Sequence, residues 1–93
     1  MMYELVVDSE AVVDMQIAFE WYQHQKPGLG NDLVYEIEIS LEKICERPFA
    51  FAAINERYRR VKVNRFPYII IYEVEGKKVY INTVRHTSRK AKY

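Results

Sequence analysis

The feature that most constrains the fold of this chain is a change in hydrophobic period near Arg57. Before this residue, apolar side chains recur at the three- to four-residue spacing of amphipathic helices, and after it they alternate with polar side chains as in half-buried strands. A helical hairpin and a β-hairpin each carry an apolar face that neither can bury alone. The sequence therefore predicts a two-layer α+β fold, with an αα-hairpin packed across an antiparallel sheet of about four strands.

A short strand and a long helix are predicted before the Pro27–Gly28 pair. Glu4–Asp8 is rich in residues that favour strands, and Asp8 or Ser9 then provides an N-cap for the helix. Pro27 and Gly28 end this helix because both residues interrupt regular helical turns. Its predicted buried stripe consists of Ala11, Met15, Ala18, Phe19 and Tyr22, widened by Ile17 and Trp21.

A second helix is predicted to begin near Asn31 or Asp32 and to end at Pro48, since proline disfavours helical conformation in the residue before it. The short connection between the two helices is typical of an αα-hairpin. The predicted buried positions of this helix are Leu33, Val34, Ile37, Leu41, Ile44 and Cys45.

Three strands are predicted in the second half of the chain, over Arg57–Val63, Tyr68–Glu75 and Lys78–His86. Gly76–Lys77 suits a two-residue hairpin loop between the last two strands. The loop length fixes the register, and a slip of one residue would exchange the two faces of a strand. The predicted pairs are Val74 with Val79, Tyr72 with Ile81, Ile70 with Thr83 and Tyr68 with Arg85.

Composition excludes several classes of protein. The 93 residues are too few for two independent cores, so a single domain over residues 1–93 is expected, and 49% hydrophobic residues exclude intrinsic disorder. The longest uncharged apolar run, Phe66–Tyr72, is too short for a membrane helix, and the N-terminus lacks the basic region of a signal peptide. One cysteine, Cys45, excludes an internal disulfide and a cysteine-built zinc site. We expect a cytoplasmic protein without metal or cofactor.

Charge is unevenly divided along the chain. Residues 1–47 contain three basic against ten acidic residues, a net charge of −7, whereas residues 48–93 contain eleven basic against three acidic residues, a net charge of +8. This division predicts one acidic and one basic surface, and a basic surface attracts a polyanion or an acidic partner. The alternative is that the acidic helices neutralise the basic strands.

The basic residues of the second half lie next to aromatic residues in two segments, Tyr58–Arg65 and Arg85–Tyr93. Basic side chains interleaved with aromatic ones suit contact with phosphates or stacked bases. The predicted binding residues are Arg59, Arg60, Lys62, Arg65, Arg85, His86 and Arg89.

The same two segments contain the groups that a metal-free RNA-cleaving site needs. His86 has the chemistry of a general acid or base, and Arg65 or Arg89 would stabilise the charge of a phosphorane. The alternative is that Arg60, Arg65 and Arg89 pair with helix carboxylates while His86 hydrogen-bonds locally. The sequence lacks the glycine loops and the zinc-protease and serine-hydrolase motifs of common enzymes, and Cys45 lies on an apolar stripe where a structural thiol is expected.

Several short motifs, in their order and spacing, resemble the RelE/ParE superfamily of toxins from bacterial type II toxin–antitoxin modules. They are PGLG between the helices, RP at the end of the second helix, R-x-x-x-x-R-F-P-Y-x-I-x-Y from Arg60 to Tyr72, and H-x-S-R from His86 to Arg89. The resemblance covers essentially the whole chain. It implies a sheet curved around the helical hairpin and a small cognate antitoxin that wraps the toxin with a disordered or helical segment.

The resemblance is closer to the ParE-like branch, often labelled plasmid stabilisation proteins, whose members inhibit DNA gyrase. RelE-like members cleave mRNA on the ribosome with basic side chains on the central strands, whereas the segment from Tyr68 to Tyr72 contains no basic residue. A RelE-like activity would use Arg60, Arg65, His86, Arg89 and Tyr93 as candidate catalytic residues. A third alternative is a domain that has lost toxicity and serves as an antitoxin-binding or DNA-regulatory partner. A homodimer or a toxin–antitoxin hetero-oligomer is expected.

Overall fold

Two helices lie against one face of a four-stranded sheet in the computed structural model, which describes residues 3–88. In the sheet the strands follow the order β1-β4-β3-β2. The predicted two-layer α+β fold is confirmed. The elements are β1 (Glu4–Val7), α1 (Ser9–Gln25), α2 (Leu29–Glu46), β2 (Tyr58–Lys62), β3 (Tyr68–Glu75) and β4 (Lys78–His86).

The sheet is mixed, because β1 pairs in parallel with β4 whereas β2, β3 and β4 pair antiparallel. The expectation of antiparallel pairing therefore holds for three strands but not for β1. A tight hairpin loop forces the two strands that it joins to run antiparallel. β1 is joined to the rest of the sheet by two helices and the loop of residues 47–57, and so long a connection permits either direction.

The turn between the helices is built around Gln23, which caps the start of α2. Its Oε1 accepts the backbone N–H of Gly28 at 3.1 Å and that of Gly30 at 2.7 Å, so α2 begins at Leu29, earlier than predicted. Gly28 has a φ of 92°, in the left-handed region that favours glycine. Gly30 is buried within α2, where an added Cβ would lie 2.6 Å from the carbonyl oxygen of Phe19. The PGLG motif therefore both turns the chain and lets the helices approach closely.

Helix α1 turns its small residues inward and two of its large residues outward. Ala11 and Ala18 are buried, whereas Ile17 is 59% exposed and Trp21 is 51% exposed. The prediction that Ile17 and Trp21 widen the buried stripe is therefore wrong. These two residues, four positions apart, share one face of the helix, and it is not the face that Ala11 and Ala18 turn to the core.

The core lies between the helices and the inner side of the sheet. Cys45 is buried there on α2, as predicted, and burial raises the pKa of its thiol. Neither α1 nor α2 combines the length and the apolar character that crossing a membrane requires. The strands and α2 contribute to the core Leu33, Ile37, Ile44, Val61, Tyr68, Ile70, Tyr72, Val79, Ile81 and Val84.

A β-bulge at Asn82 shifts the register of the β3–β4 hairpin. The predicted loop at Gly76–Lys77 is confirmed, because β3 ends at Glu75 and β4 begins at Lys78. Asn82 then has no partner on β3, so every later residue of β4 is displaced by one position. The observed pairs are Val74–Val79, Tyr72–Ile81, Ile70–Val84 and Tyr68–His86; the predicted pairs Ile70–Thr83 and Tyr68–Arg85 are therefore wrong.

The bulge exchanges the two faces of β4 beyond Asn82. Val84 is 3% exposed and His86 follows it on the helix side, whereas Thr83 and Arg85 lie on the opposite side of the sheet. Without the bulge, a threonine would replace Val84 in the core. Burial of the apolar side chain therefore favours the shifted register.

Candidate partner-binding surface

The sheet has an outer face, turned away from the two helices. Since side chains alternate along a strand and Ile70 and Tyr72 are buried on the helix side, Ile69 and Ile71 lie on the outer face. Residues directly opposite each other on neighbouring strands share a side, so the register extends this set. The outer face includes Tyr58, Arg60 and Lys62 of β2, Ile69, Ile71 and Glu73 of β3, and Tyr80, Thr83 and Arg85 of β4.

Three of the predicted binding residues, Arg60, Lys62 and Arg85, come together on this outer face. Arg60 is exposed, and its side chain makes no hydrogen bond or ion pair with any residue between 3 and 88. Arg85 is half-buried. The Nζ of Lys62 donates to the carbonyl oxygens of Val63 at 2.8 Å and Phe66 at 2.7 Å, so it holds the β2–β3 turn. Arg60 is therefore the cation of this face that is most available to a partner.

Arg59, also predicted to bind a partner, lies on the helix side of β2 and holds the loop of residues 47–57. Its Nη1 donates to the carbonyl oxygens of Phe51 at 2.7 Å and Phe49 at 3.4 Å, and its guanidinium lies 5.2 Å from the centre of the Phe49 ring. The hydroxyl of Tyr72, opposite Arg59, donates to the carbonyl oxygen of Pro48 at 2.6 Å. Arg59 therefore anchors the chain between α2 and β2.

A polar network links the strands on the outer face. Arg57 Nε donates to Glu73 Oε1 at 2.7 Å, and Asn82 Nδ2 donates to Glu73 Oε2 at 3.1 Å and to Asp8 Oδ2 at 2.8 Å. The hydrogen bond from Arg57 is the main cause that lowers the pKa of Glu73, and burial opposes it. The bulged residue Asn82 thus joins β3 to the junction between β1 and α1.

Arg65 lies in the β2–β3 turn and pairs with carboxylates of α2. Its guanidinium is 3.8 Å from Asp32 and 3.6 Å from Glu36, which is only 8% exposed, and it lies 5.4 Å from the centre of the Phe66 ring. Arg65 has a φ of 72°, a left-handed value that is strained for a side-chain-bearing residue. The expected alternative, pairing of a basic residue with helix carboxylates, is therefore confirmed for Arg65.

His86 lies near the same end of the sheet, on the helix side. Its ring packs edge-on against Tyr68 at 5.1 Å, and Tyr68 in turn contacts Tyr22 of α1. The backbone N–H of Ser88 donates to His86 Nδ1 at 3.2 Å, and the Ser88 hydroxyl lies 3.0 Å from the same atom. Because a backbone N–H can only donate, Nδ1 acts as an acceptor, and a neutral His86 carries its proton on Nε2.

The candidate catalytic residues do not form one cluster. Arg60 is on the outer face of the sheet, His86 is on the helix side, and Arg65 is paired with α2. Arg89 and Tyr93 lie outside the described residues. Of the three candidates that the structure describes, Arg65 and His86 occupy the same end of the sheet, near Phe66 and Tyr68.

The charge division of the sequence persists in three dimensions. Within residues 3–88, Arg65 makes the only ion pairs between a strand or strand connection and a helix, and Arg57 pairs with Glu73 inside the sheet. Several acidic residues of the helices are exposed, including Glu20, Glu38 and Glu42. Among the described residues, the ion pairs that join the basic half of the chain to the helices are those of Arg65.

A cleft of about 470 Å³ at the border of the outer face was not predicted from the sequence. It opens where the β1–α1 junction, the β4 bulge and the loop before β2 meet. No sequence signal marks it, because its residues are up to 77 positions apart in the chain and the bulge depends on tertiary packing. The cleft is lined by Asp8, Glu10, Ile54, Tyr58, Ile71, Asn82, Thr83 and Arg85.

Comparisons with known proteins agree with this architecture. The family model described as the ParE toxin of type II toxin–antitoxin system, parDE, matches residues 5–91. A structure of the chromosomal ParDE TA system from P. aeruginosa has a TM-score of 0.82 and 18% identity, covering 94% of this chain and 98% of that one. A comparison with curated proteins gave no match.

Two further solved structures share the fold. The isolated E. coli RelE toxin has a TM-score of 0.69 and 19% identity, with 98% of this chain and 90% of that one covered. The YoeB dimer from Staphylococcus aureus has a TM-score of 0.63 and 13% identity, with 92% of this chain and 98% of that one covered. At these identities the likeness establishes a common fold, and it leaves the activity to be argued from the residues.

Proposed function

Because this chain belongs to the ParE toxin family of type II toxin–antitoxin systems, we propose that it is a toxin that binds and inhibits DNA gyrase. Membership of the family implies a cognate antitoxin. On this proposal the protein acts in the bacterial cytoplasm as a binding inhibitor, it needs no cofactor, and it does not cleave RNA. The antitoxin prevents its contact with the target.

The observation that carries this proposal is the position of His86 relative to Arg60. A general acid or base must come within hydrogen-bond reach of the reacting group, and the cation that stabilises the transition state must reach the same atoms. The side chains of His86 and Arg60 project from opposite sides of the sheet, and His86 Nδ1 is engaged by Ser88. This separation favours inhibition by binding over RNA cleavage.

The chemistry of the outer face also supports a protein target. Its centre is aliphatic, with Ile69 and Ile71, and Arg60 and Arg85 flank this centre. An apolar centre bordered by arginine is typical of protein interfaces.

The first test is whether DNA synthesis or protein synthesis stops when the chain is produced in a bacterial host. Pulse labelling of DNA and of protein just after induction should show that DNA synthesis falls while translation continues. The purified chain should then inhibit supercoiling of relaxed plasmid DNA by gyrase, and a co-purifying antitoxin should restore it. A chain denatured before addition serves as the control for non-specific effects.

The two alternative functions, RNA cleavage and non-toxic antitoxin binding or regulation, predict different results in the same assays. Loss of translation within minutes, with gyrase activity unaffected, would identify a RelE-like ribosome-dependent nuclease. Unchanged synthesis of both DNA and protein, together with normal growth, would identify a non-toxic antitoxin-binding or regulatory domain. Either result contradicts gyrase inhibition.

A further inference from the structure

Helix α1 has an apolar stripe that neither the sheet nor α2 covers. Val13, Ile17 and Trp21 lie four residues apart on one face of this helix, and each of them is more than half exposed. The Trp21 ring packs edge-on against Tyr22 at 4.9 Å, so a partly buried ring supports it. A contiguous exposed patch that contains a tryptophan is typical of a protein interface.

The two ends of the stripe carry groups of opposite charge. Glu10 lies in the first turn of α1 and His24 in its last turn. His24 Nδ1 is 3.1 Å from the backbone carbonyl oxygen of Glu20, and because a carbonyl oxygen can only accept, Nδ1 carries a proton. Protonation of the ring, which a helix C-terminus favours, adds a second N–H at Nε2. Nε2 has no partner among residues 3–88, so it is available to a carboxylate of another molecule.

The stripe is complementary to itself when two copies of α1 pack antiparallel. Val13 and Trp21 are equally far from Ile17 along the helix, so a two-fold axis at Ile17 places the small side chain of one copy level with the large one of the other. The same axis brings Glu10 level with His24, and opposite charges meet at both ends. A parallel pair would instead place Glu10 against Glu10 and Trp21 against Trp21.

We propose that this face of α1 binds a second copy of the chain, with the two α1 helices antiparallel and centred on Ile17. The helices and the outer face lie on opposite sides of the sheet, so the dimer leaves both outer faces uncovered. Three side chains on each copy offer less area than the roughly 800 Å² per partner of a stable interface, so we expect a dissociation constant of about 10–100 µM. This dimer does not require gyrase to be the target.

The dimer is tested by sedimentation velocity on the purified full chain at about pH 6, where a large share of exposed histidine is protonated. The fraction of dimer should rise with protein concentration between roughly 1 and 500 µM. A chain that stays monomeric over this range would overturn the proposal, whatever other partner it binds.

Ile17→Glu tests the centre of the interface. It places two carboxylates at the two-fold axis, so the dissociation constant of the dimer should rise about tenfold or more. The melting temperature at low concentration should stay within a few degrees of the parent's, because Ile17 is exposed. Tyr35→Glu, at a similarly exposed position of α2, is the matched control and should dimerise as the parent chain does. Equal dissociation constants for the two variants would place the interface elsewhere and overturn the assignment.

A charge reversal tests the antiparallel arrangement. His24→Glu places a carboxylate against Glu10 of the second copy, so it should weaken the dimer by about threefold or more. Adding Glu10→Lys should restore the parent's dissociation constant within about twofold, because each new glutamate then faces a lysine of the other copy. In a parallel pair the double variant would bring like charges together at both ends, so an absence of rescue would contradict the two-fold arrangement. Thermal unfolding verifies that both variants fold. None of these measurements involves gyrase, so a failure here is distinguishable from a failure of the proposed function.

Discussion

The hydroxyl of Tyr72, at the centre of the sheet, donates a hydrogen bond of 2.6 Å to the carbonyl oxygen of Pro48, in the loop that follows α2. Tyr72 is fully buried, and burial raises its pKa from the ordinary value of 10.0 to about 12, against a smaller lowering by Arg59. The folded state therefore holds this proton more tightly than the unfolded state. The resulting stabilisation is complete below pH 10 and is lost as the pH rises through about 12.

Replacing Tyr72 by phenylalanine should separate the hydrogen bond from the packing of the ring. The variant Tyr72→Phe leaves the Pro48 carbonyl oxygen unpaired, so its free energy of unfolding at neutral pH should be lower by roughly 1–2 kcal/mol. Because the variant lacks the Tyr72 hydroxyl, it should lose less stability than the parent chain when the pH is raised into the alkaline range. Urea denaturation at neutral and alkaline pH measures both effects. Tyr35→Phe, at an exposed position, is the control, and identical alkaline losses in Tyr72→Phe and the parent chain would contradict the prediction.

The ion pair of Arg57 with Glu73 should make stability depend on acid pH. The pKa of Glu73 is lowered in the folded state, mainly by the hydrogen bond from Arg57. Its ionised form therefore stabilises the fold above the ordinary pKa of 4.5, and this contribution is lost as the pH falls through the lower folded-state value. The variant Glu73→Gln should lose less stability between pH 7 and pH 3 than the parent chain does. Urea denaturation at the two pH values measures this difference.

The control for the acid experiment is Glu42→Gln, at an exposed position of α2. It should lose stability on acidification by the same amount as the parent chain. If Glu73→Gln also shows the parent's full acid loss, the network of Arg57, Glu73 and Asn82 does not contribute to folding at neutral pH.

Gly30 should not tolerate even one additional carbon atom. Within a helix, replacing glycine by alanine ordinarily stabilises by about 1 kcal/mol. At Gly30 the new Cβ would lie 2.6 Å from the carbonyl oxygen of Phe19, which is backbone and cannot rotate away. The helices must then move apart, so Gly30→Ala should instead destabilise the chain by about 1–3 kcal/mol. Thermal unfolding measures the sign, with Asn31→Ala at an exposed position as the control, and a raised melting temperature in Gly30→Ala would contradict close helix packing.

The periodicity of the sequence was sufficient to predict the helices, the strands and the hairpin loop, because each depends on residues close together in the chain. The bulge at Asn82 was not predictable in this way, since it depends on which of Thr83 and Val84 is buried against the helices. The direction of β1 likewise depends on how the helical hairpin packs.

The sequence was sufficient to predict which cations belong to the candidate site, but not how their side chains are arranged in space. The sequence identifies Arg59, Lys62 and Arg60 as basic, yet it does not show which of them binds backbone carbonyl oxygens. Arg59 and Lys62 do so, whereas the side chain of Arg60 makes no hydrogen bond within residues 3–88. The bulge then places Arg85 on the outer face and His86 on the helix side, whereas the predicted pairing of Tyr68 with Arg85 would have put Arg85 on the side of Tyr68.

Arg60 and His86 should differ sharply in their importance for toxicity. If the chain inhibits gyrase through its outer face, Arg60→Ala removes an exposed charge at the interface and should weaken inhibition of supercoiling by about tenfold or more. His86→Ala should leave inhibition nearly unchanged, because its ring faces Tyr68 on the other side of the sheet. Both variants should retain the parent's melting temperature within a few degrees, which thermal unfolding verifies.

The control for net charge is Lys78→Ala, because Lys78 is an exposed cation at the opposite end of β4. A loss of toxicity of about 100-fold in His86→Ala, with Arg60→Ala unaffected, would instead indicate acid–base chemistry at His86.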